Sequence, residues 1–315
     1  MFSPIDGFLA LQPALIMDGA LATELERRGA DLSDPLWSAK LLLEDPALIH
    51  AVHRDYFIAG ADLATTATYQ ATFAGFLRRG LDQEPAARLM QGAVALALGA
   101  RDEFWSEAAN RVGRRRPLVA ASVGPYGAML ADGSEYRGRY AVGDQQLREF
   151  HAPRLAVLAR SGADLLACET MPCLREAVVL AELLRGFPGM TAWMSFACRD
   201  GARNVEGEDV AVCAAALQPF DQVAAIGVNC TAPGYVSGLL QRMSTATDKP
   251  LLAYPNSGEH YSSDIKAWTG DADAAPFADR AVEWLAVGAR LIGGCCRTTP
   301  ADIHAIRAAV LGPPR

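Results

Sequence analysis

Short apolar runs that alternate with helix-period segments constrain this chain more than any other feature. Eight runs read as strands: Ala14–Met17, Asp62–Thr66, Leu118–Val123, Asp164–Cys168, Thr191–Ala197, Val223–Val228, Leu251–Tyr254 and Arg290–Ile292. Such short, nearly continuous apolar runs suit strands covered on both faces of a parallel sheet. Between them, Pro46–Ala59, Glu84–Glu103, Asp144–Arg160, Leu174–Arg185, Asp209–Leu217 and Ala275–Val287 carry helical periodicity. Ala59-Gly60-Ala61-Asp62 and Ser161-Gly162-Ala163-Asp164 mark where a helix stops and a strand begins. Repeated β-α alternation predicts a parallel sheet with helices outside. Eight units in 315 residues, with no Pro-, Gly- or Ser-rich linker, predict one closed (β/α)8 TIM barrel over residues 1–315.

In such a barrel the chemistry sits at the C-terminal ends of the strands. Those ends read Asp18-Gly19-Ala20, Thr65-Thr66 running on to Tyr69-Gln70, Gly124-Pro125-Tyr126, Glu169-Thr170-Met171-Pro172, Asn229-Cys230, Pro255-Asn256-Ser257-Gly258-Glu259 and Gly294-Cys295-Cys296. The stretch from Leu130 to Tyr140 is a polar, aromatic insertion after the third strand, placed to act as a lid or substrate loop.

The chain has seven cysteines, an odd number, and no basic start followed by an apolar run. They therefore read as cytosolic thiols or metal ligands rather than as a disulfide frame. Cys230, Cys295 and Cys296 stand at two strand ends, and no histidine keeps ligand spacing with them. Three thiolates suit a zinc ion left open at its fourth position, and soft sulfur ligands point to thiol chemistry. Gly293 and Gly294 are expected to allow a tight turn that aims both Cys295 and Cys296 at one ion. A vicinal Cys295–Cys296 disulfide is the competing arrangement. Cys168, Cys173, Cys198 and Cys213 read as small buried residues.

With 51% hydrophobic and 21% charged residues the composition is ordinary for a globular chain. A net charge of −7 argues against nucleic acid or an anionic membrane surface as partner. No apolar stretch is long enough to span a bilayer, so the expected location is the cytoplasm. Arg114-Arg115-Arg116, the one basic run, is expected to be a solvated loop.

The strand-end motifs resemble the homocysteine S-methyltransferase family. The resemblance runs through Met17-Asp18-Gly19-Ala20, Glu24-Leu25-Glu26-Arg27-Arg28-Gly29, Ser122-Val123-Gly124-Pro125-Tyr126-Gly127 and Asp132-Gly133-Ser134-Glu135-Tyr136-Arg137-Gly138. It continues through Glu169-Thr170-Met171-Pro172, Gly227-Val228-Asn229-Cys230, Tyr254-Pro255-Asn256-Ser257-Gly258-Glu259 and Gly293-Gly294-Cys295-Cys296-Arg297-Thr298-Thr299-Pro300. The Tyr126–Arg137 segment is more similar to the branch using S-methylmethionine or S-adenosylmethionine than to the betaine branch. The resemblance implies a zinc barrel that methylates homocysteine to methionine with Cys230, Cys295 and Cys296 as ligands. By position and by resemblance, Asp18 and Glu169 are candidates for the substrate ammonium, each with helix N-capping as its alternative. Asn229, Asn256 and Glu259 either bind substrate or orient the site, or serve as turn residues that bond backbone. Tyr69, Tyr126, Tyr136 and Tyr140 either face a sulfonium or pack. The chain lacks the C-terminal extension by which the betaine enzymes assemble, so a monomer is expected.

Two rivals have different signatures. A barrel hydrolase uses His and carboxylate ligands to activate water, and the strand ends are poor in histidine. A non-catalytic zinc-binding or thiol-redox barrel would close its metal site with a fixed fourth protein ligand.

Overall fold

The computed structural model describes residues 3–32, 37–262, 267–269 and 276–312. Eight parallel strands form its centre: β1 Leu15–Ile16, β2 Leu63–Thr65, β3 Leu118–Val123, β4 Leu165–Met171, β5 Ala192–Phe196, β6 Val223–Asn229, β7 Leu251–Tyr254 and β8 Ala289–Ile292. Neighbours follow chain order from β2 to β8, and β8 pairs with β1 through Leu15↔Leu291 and Ile16↔Ile292. The ring closes where Asp62 N donates to Ile16 O at 2.7 Å and Met17 bridges Leu63. The result is the (β/α)8 barrel that the alternation predicts. The first two strands are shorter than the apolar runs suggest, and β4 reaches three residues beyond Cys168, into the strand-end motif.

Side chains alternate across each strand. Leu15, Leu63, Leu118, Ala120, Leu165, Ala167, Trp193, Ala225, Leu252 and Leu291 fill the interior, while Ile16, Ala64, Val119, Leu166, Met194, Ile226, Ala253 and Ile292 pack outward against the helices. The inward period continues upward from apolar to polar: Leu63 to Thr65, Ala120 to Ser122, Ala167 to Glu169, Trp193 to Ser195, and Ala225 past Gly227 to Asn229. The lower barrel is therefore a dry core and the upper barrel a polar floor. Gly227 leaves room for its neighbour, because a Cβ there would stand 1.9 Å from Leu252 O.

The bottom is plugged by a helix that the strand pattern does not reveal, Pro4–Leu9. Ser3 and Asp6 close a capping box around its start, and Ile5 and Phe8 insert among Leu15, Leu118, Leu165 and Leu291. The Pro46–Ala59 helix has the bounds that its sequence predicts, for local reasons. Asp45 accepts from Leu48 N at 3.1 Å, Pro46 begins the first turn, and Gly60 ends the helix at φ 117°.

Two expectations about individual residues meet different fates. Cys168, Cys173, Cys198 and Cys213 are buried, and burial raises all four thiols, Cys168 and Cys173 to about 12. The arginine run is not a solvated loop throughout. Arg114 is half-buried, donates to Phe57 O at 2.8 Å and Ala61 O at 2.6 Å and lies over the Phe104 ring; Arg115 and Arg116 are exposed, Arg115 lying over Phe8 and Arg116 paired with Asp102 at 2.6 Å. Flat guanidinium groups cover ring faces and collect carbonyl oxygens at a helix end. Finally, no helix among the described residues is long and apolar enough to cross a membrane.

The segment after β3 is fixed from below by a buried polar network. Glu176, at 0% exposure, accepts from Tyr126 N at 2.6 Å, from the Tyr140 hydroxyl and from His151 Nε2 at 2.7 Å. Arg154 Nη2 donates to Gly124 O at 2.6 Å and to His151 Nδ1 at 2.9 Å. Arginine only donates, so Nδ1 is the acceptor and Nε2 carries the proton given to Glu176. Burial lowers the His151 pKa, in keeping with this neutral tautomer.

Candidate active site

The upper barrel opens into a cavity of about 420 Å³. Its floor is Thr65, Ser122, Glu169, Asn229 and Tyr254, and one wall is Cys230, Cys295 and Cys296. Asp18 and Glu26 contribute from the β1 side, and Ala131, Gly133, Glu135 and Tyr136 from the segment after β3. That segment lies where the insertion from Leu130 to Tyr140 was expected to act.

The three sulfurs converge from two strand ends. Cys230 Sγ lies 2.7 Å from Cys295 Sγ and 3.5 Å from Cys296 Sγ, and the adjacent pair is 4.0 Å apart. A tetrahedron with metal–sulfur bonds of about 2.3 Å has edges of about 3.8 Å. Two of the three separations fit that edge, and the third fits once the Cys230–Cys295 pair opens by about 1 Å. The donor set, three sulfurs on a cavity wall, therefore suits a soft or borderline metal ion with a fourth position facing the cavity. Cys230 is held well below the ordinary thiol range by hydrogen bonds from Cys295 and Cys296, and the same contacts with Cys230 push the other two up. One thiolate is thus favoured before metal arrives, and binding must release the remaining protons.

Backbone packing beyond β8 places two of these sulfurs. Gly293 N donates to Ala253 O at 3.1 Å, Gly294 N to Asp18 O at 3.1 Å and Cys295 N to Pro255 O at 2.7 Å. The two glycines do not take left-handed φ values, so a tight turn is not their role. They allow close approach instead: a Cβ on Gly293 would lie 2.6 Å from Met17 Cβ, and one on Gly294 2.3 Å from Thr298 Oγ1. On the other side Cys230 itself is left-handed at φ 46°, and Thr170 at φ 61°. Such non-glycine residues cost about 1–3 kcal/mol each and persist only where neighbours hold them. Asn229 holds Thr170, accepting from its N at 2.8 Å and donating to its Oγ1 at 2.7 Å.

Two carboxyl groups sit deep in the cavity. Asp18 accepts from Thr65 N at 2.8 Å and from the Thr65 hydroxyl at 3.1 Å, yet burial holds its pKa well above the usual range. Glu169 accepts from the Ser122 hydroxyl and from Tyr254 OH at 3.0 Å, and burial raises it to about 7. Neither caps a helix with its side chain. Glu135 is also buried and raised to about 7, chiefly by desolvation.

The comparisons with known proteins decide the family. Residues 15–310 match the family model of homocysteine S-methyltransferases. The chain belongs to the homocysteine S-methyltransferase family. Among its relatives, Homocysteine S-methyltransferase YbgG of Bacillus subtilis is 51% identical over 97% of each chain. The Escherichia coli Homocysteine S-methyltransferase is 49% identical over 97% of this chain and 98% of its own. The metallated form of the Escherichia coli homocysteine methyltransferase MmuM superposes with a TM-score of 0.87 at 46% identity, over 97% of this chain and 99% of that one.

For this member of the homocysteine S-methyltransferase family, the structure gathers Asp18, Glu169, Asn229, Cys230, Cys295 and Cys296 around one cavity. Asn256 and Glu259 lie at its rim but not on its lining. Asn256 Oδ1 accepts from Gly258 N at 3.0 Å, and Glu259 Oε2 accepts from Ser257 Oγ at 2.8 Å and Arg297 Nε at 3.0 Å. Burial raises the Glu259 carboxyl less than those bonds lower it. Tyr126 packs against Tyr140 and Phe150, with ring centroids 5.4 and 5.1 Å away, and does not line the cavity. Tyr69 and Tyr136 do line it, and Tyr136 OH donates toward Cys230 Sγ at 3.7 Å. Strand-end reading passed over Ser122, Ser195 and Tyr254, whose hydroxyls support Glu169 and Asn229. Their signal was present as polar residues that continue the inward period of otherwise apolar strands.

Proposed function

We propose that this chain transfers a methyl group from a sulfonium donor, S-methylmethionine or S-adenosylmethionine, to the thiol of homocysteine, giving methionine, with zinc held by Cys230, Cys295 and Cys296. The observation that carries this reading is the acidic lining of the cavity. Asp18, Glu26, Asp31, Glu135 and Glu169 line it beside three thiols, and no Lys, Arg or His among the described residues does. Such a site concentrates cations and repels anionic carriers of one-carbon groups. The relatives' names support the acceptor, and the sulfur donor set supports the metal.

Zinc bound at the three sulfurs supplies a Lewis acid that keeps a substrate thiol deprotonated near neutral pH. The chain's own residues do the rest. Asp18 and Glu169 take the homocysteine ammonium, which offers each buried carboxylate the positive partner it lacks. Asn229 keeps Thr170 and, through it, the end of β4 in place. Tyr136 and Tyr69 wall the side toward the donor, where aromatic faces favour a cation. As the homocysteine sulfur attacks, a carbon–sulfur bond forms to the methyl while the donor's carbon–sulfur bond breaks. The bonding pair returns to the donor sulfur, which leaves as a neutral thioether, and the thiol proton passes to solvent. Charge is neutralised, so a water-poor cavity favours the step, and alignment of the two sulfurs lowers its entropic barrier. The enzyme acts on small molecules, as a monomer in the cytoplasm.

The test is methionine formation by zinc-loaded, reduced protein, followed by mass spectrometry with an isotopically labelled donor methyl. S-methylmethionine, S-adenosylmethionine and betaine are supplied separately with homocysteine. Labelled methionine from a sulfonium tube is expected; turnover with betaine alone, or with none of the three, refutes the reading.

A further inference from the structure

Asp18 and Glu169 are each held by hydroxyl or amide donors from other segments, whereas among the described residues the Glu135 carboxyl is held only by its own backbone N–H. Its side chain lines the cavity, its residue exposure is 8%, and Oε2 is buried with no hydrogen-bond partner among the described residues. Burying a carboxylate without a partner is expensive, and such an atom in a binding cavity marks a missing ligand group. The cationic side chain nearest in sequence acts on it only through space: Arg137 is more than half exposed, with Nη2 on Asp132 O at 2.8 Å and 3.7 Å from the Asp132 carboxylate.

Nor can Glu135 readily swing away. A Cβ on Gly127 would meet Glu135 N at 2.6 Å, so the backbone at 134–135 rests directly on the Tyr126–Leu130 helix. That helix is tied in turn to buried Glu176 through Tyr126 N. The next residue, Tyr136, reaches Cys230 Sγ, and Glu135 lies within electrostatic range of Cys230 and Tyr69. The carboxylate is thus built into the wall beside the thiols, on a different segment from the pair assigned to homocysteine.

Resting on the reading of the preceding subsection, we propose that Glu135 is the counter-ion for the positively charged methyl donor. Homocysteine brings one cation, and Asp18 and Glu169 take it. The remaining positive charge belongs to the donor, as the sulfonium centre or as the ammonium of its amino-acid end. Either satisfies the orphaned oxygen. Where the sulfonium makes the contact, the donor sulfur becomes neutral once the methyl has left and its hold on Glu135 weakens, which favours product release over rebinding.

The experiment uses the full, zinc-loaded, reduced chain and its Glu135→Gln variant. Binding of S-methylmethionine, trimethylsulfonium and homocysteine is measured by calorimetry, alongside methionine formation. Loss of a charged partner predicts a 10- to 100-fold higher donor Kd and KM in the variant. The homocysteine Kd should stay within twofold, with metal content and Tm unchanged or Tm raised. Parallel weakening of trimethylsulfonium assigns the contact to the sulfonium, and weakening of S-methylmethionine alone assigns it to the ammonium; both support the proposal. Unchanged donor affinity, or equal weakening of donor and homocysteine, overturns it. Should Glu135→Gln fail to fold, Glu135→Asp keeps the charge and moves it, and the same donor-only loss is required. A wild-type chain that makes no methionine overturns the function proposed above, whereas normal turnover with donor affinity blind to Glu135 overturns this inference alone.

Discussion

Replacing Glu169 by Gln should stabilise the unliganded protein at alkaline pH while damaging its affinity for homocysteine. Burial lifts the Glu169 carboxyl from its ordinary value of 4.5 to about 7. The folded chain therefore holds a proton that the unfolded chain has lost between those values. That linkage contributes stability that is fully present below pH 4.5 and is lost as pH rises through about 7. The rise from 4.5 to about 7 corresponds to about 3 kcal/mol forfeited by pH 8. A glutamine forfeits none of it, but it turns an amide N–H toward one of the two hydroxyls, Ser122 or Tyr254, that now donate to the carboxylate. That mismatch costs about 1 kcal/mol. The net expectation is about 2 kcal/mol of stabilisation at pH 8, a rise of about 3 °C in Tm for a chain of this length, and a slight loss at pH 5. Calorimetry on metal-free, reduced protein at the two pH values checks it, since a bound cation would favour the ionised carboxylate. Loss of the charged contact should raise the homocysteine KM by about 10- to 100-fold. A variant less stable than wild type at pH 8, or a difference independent of pH, would refute the reasoning.

Three further outcomes are expected. Cys295→Ala should lower metal affinity by at least about 100-fold and abolish methionine formation, read by metal analysis and turnover on the same sample; retained activity without metal would sink the proposed mechanism. Glu176→Ala leaves Tyr140, His151 and Tyr126 N without their acceptor, and should cost about 3–5 kcal/mol in urea denaturation; a loss under about 1 kcal/mol would show that the network does not hold the segment after β3. Gly227→Ala places a Cβ 1.9 Å from Leu252 O and should destabilise the barrel by at least about 3 kcal/mol or leave the protein insoluble, and a soluble variant with unchanged Tm would contradict this packing.

The legibility of this protein differs by level. Strands β3 and β7 and the Pro46–Ala59 helix stand where their sequence places them, because their signals are local: apolar runs, an N-cap and a C-terminal glycine. The cluster of Cys230, Cys295 and Cys296 is legible in sequence because cysteines at β6 and β8 ends must lie on one rim of a closed barrel. Asn256, Glu259 and Tyr126 shared the same strand-end logic but do not line the cavity. Alternation fixes which end of a strand a residue occupies; it does not fix which way a loop side chain turns beyond that end. The solvated-loop reading of Arg114 failed for a related reason, since its acceptors, Phe57 O and Ala61 O, are more than fifty residues away.

Taken alone, the sequence determined the barrel, the rim and the identity of the chemical groups on it, since these follow from periodicity and residue type. Tertiary structure decided how those groups meet. The Pro4–Leu9 helix turned out to close the bottom, Gly293 and Gly294 to serve close approach, and Glu135 to bury one carboxylate oxygen without a hydrogen-bond partner among the described residues. None of these is encoded within a short window. Each arises where segments distant in sequence compete for the same space, and only the packed chain settles which backbone may approach, which charge is paired and which is left facing a ligand.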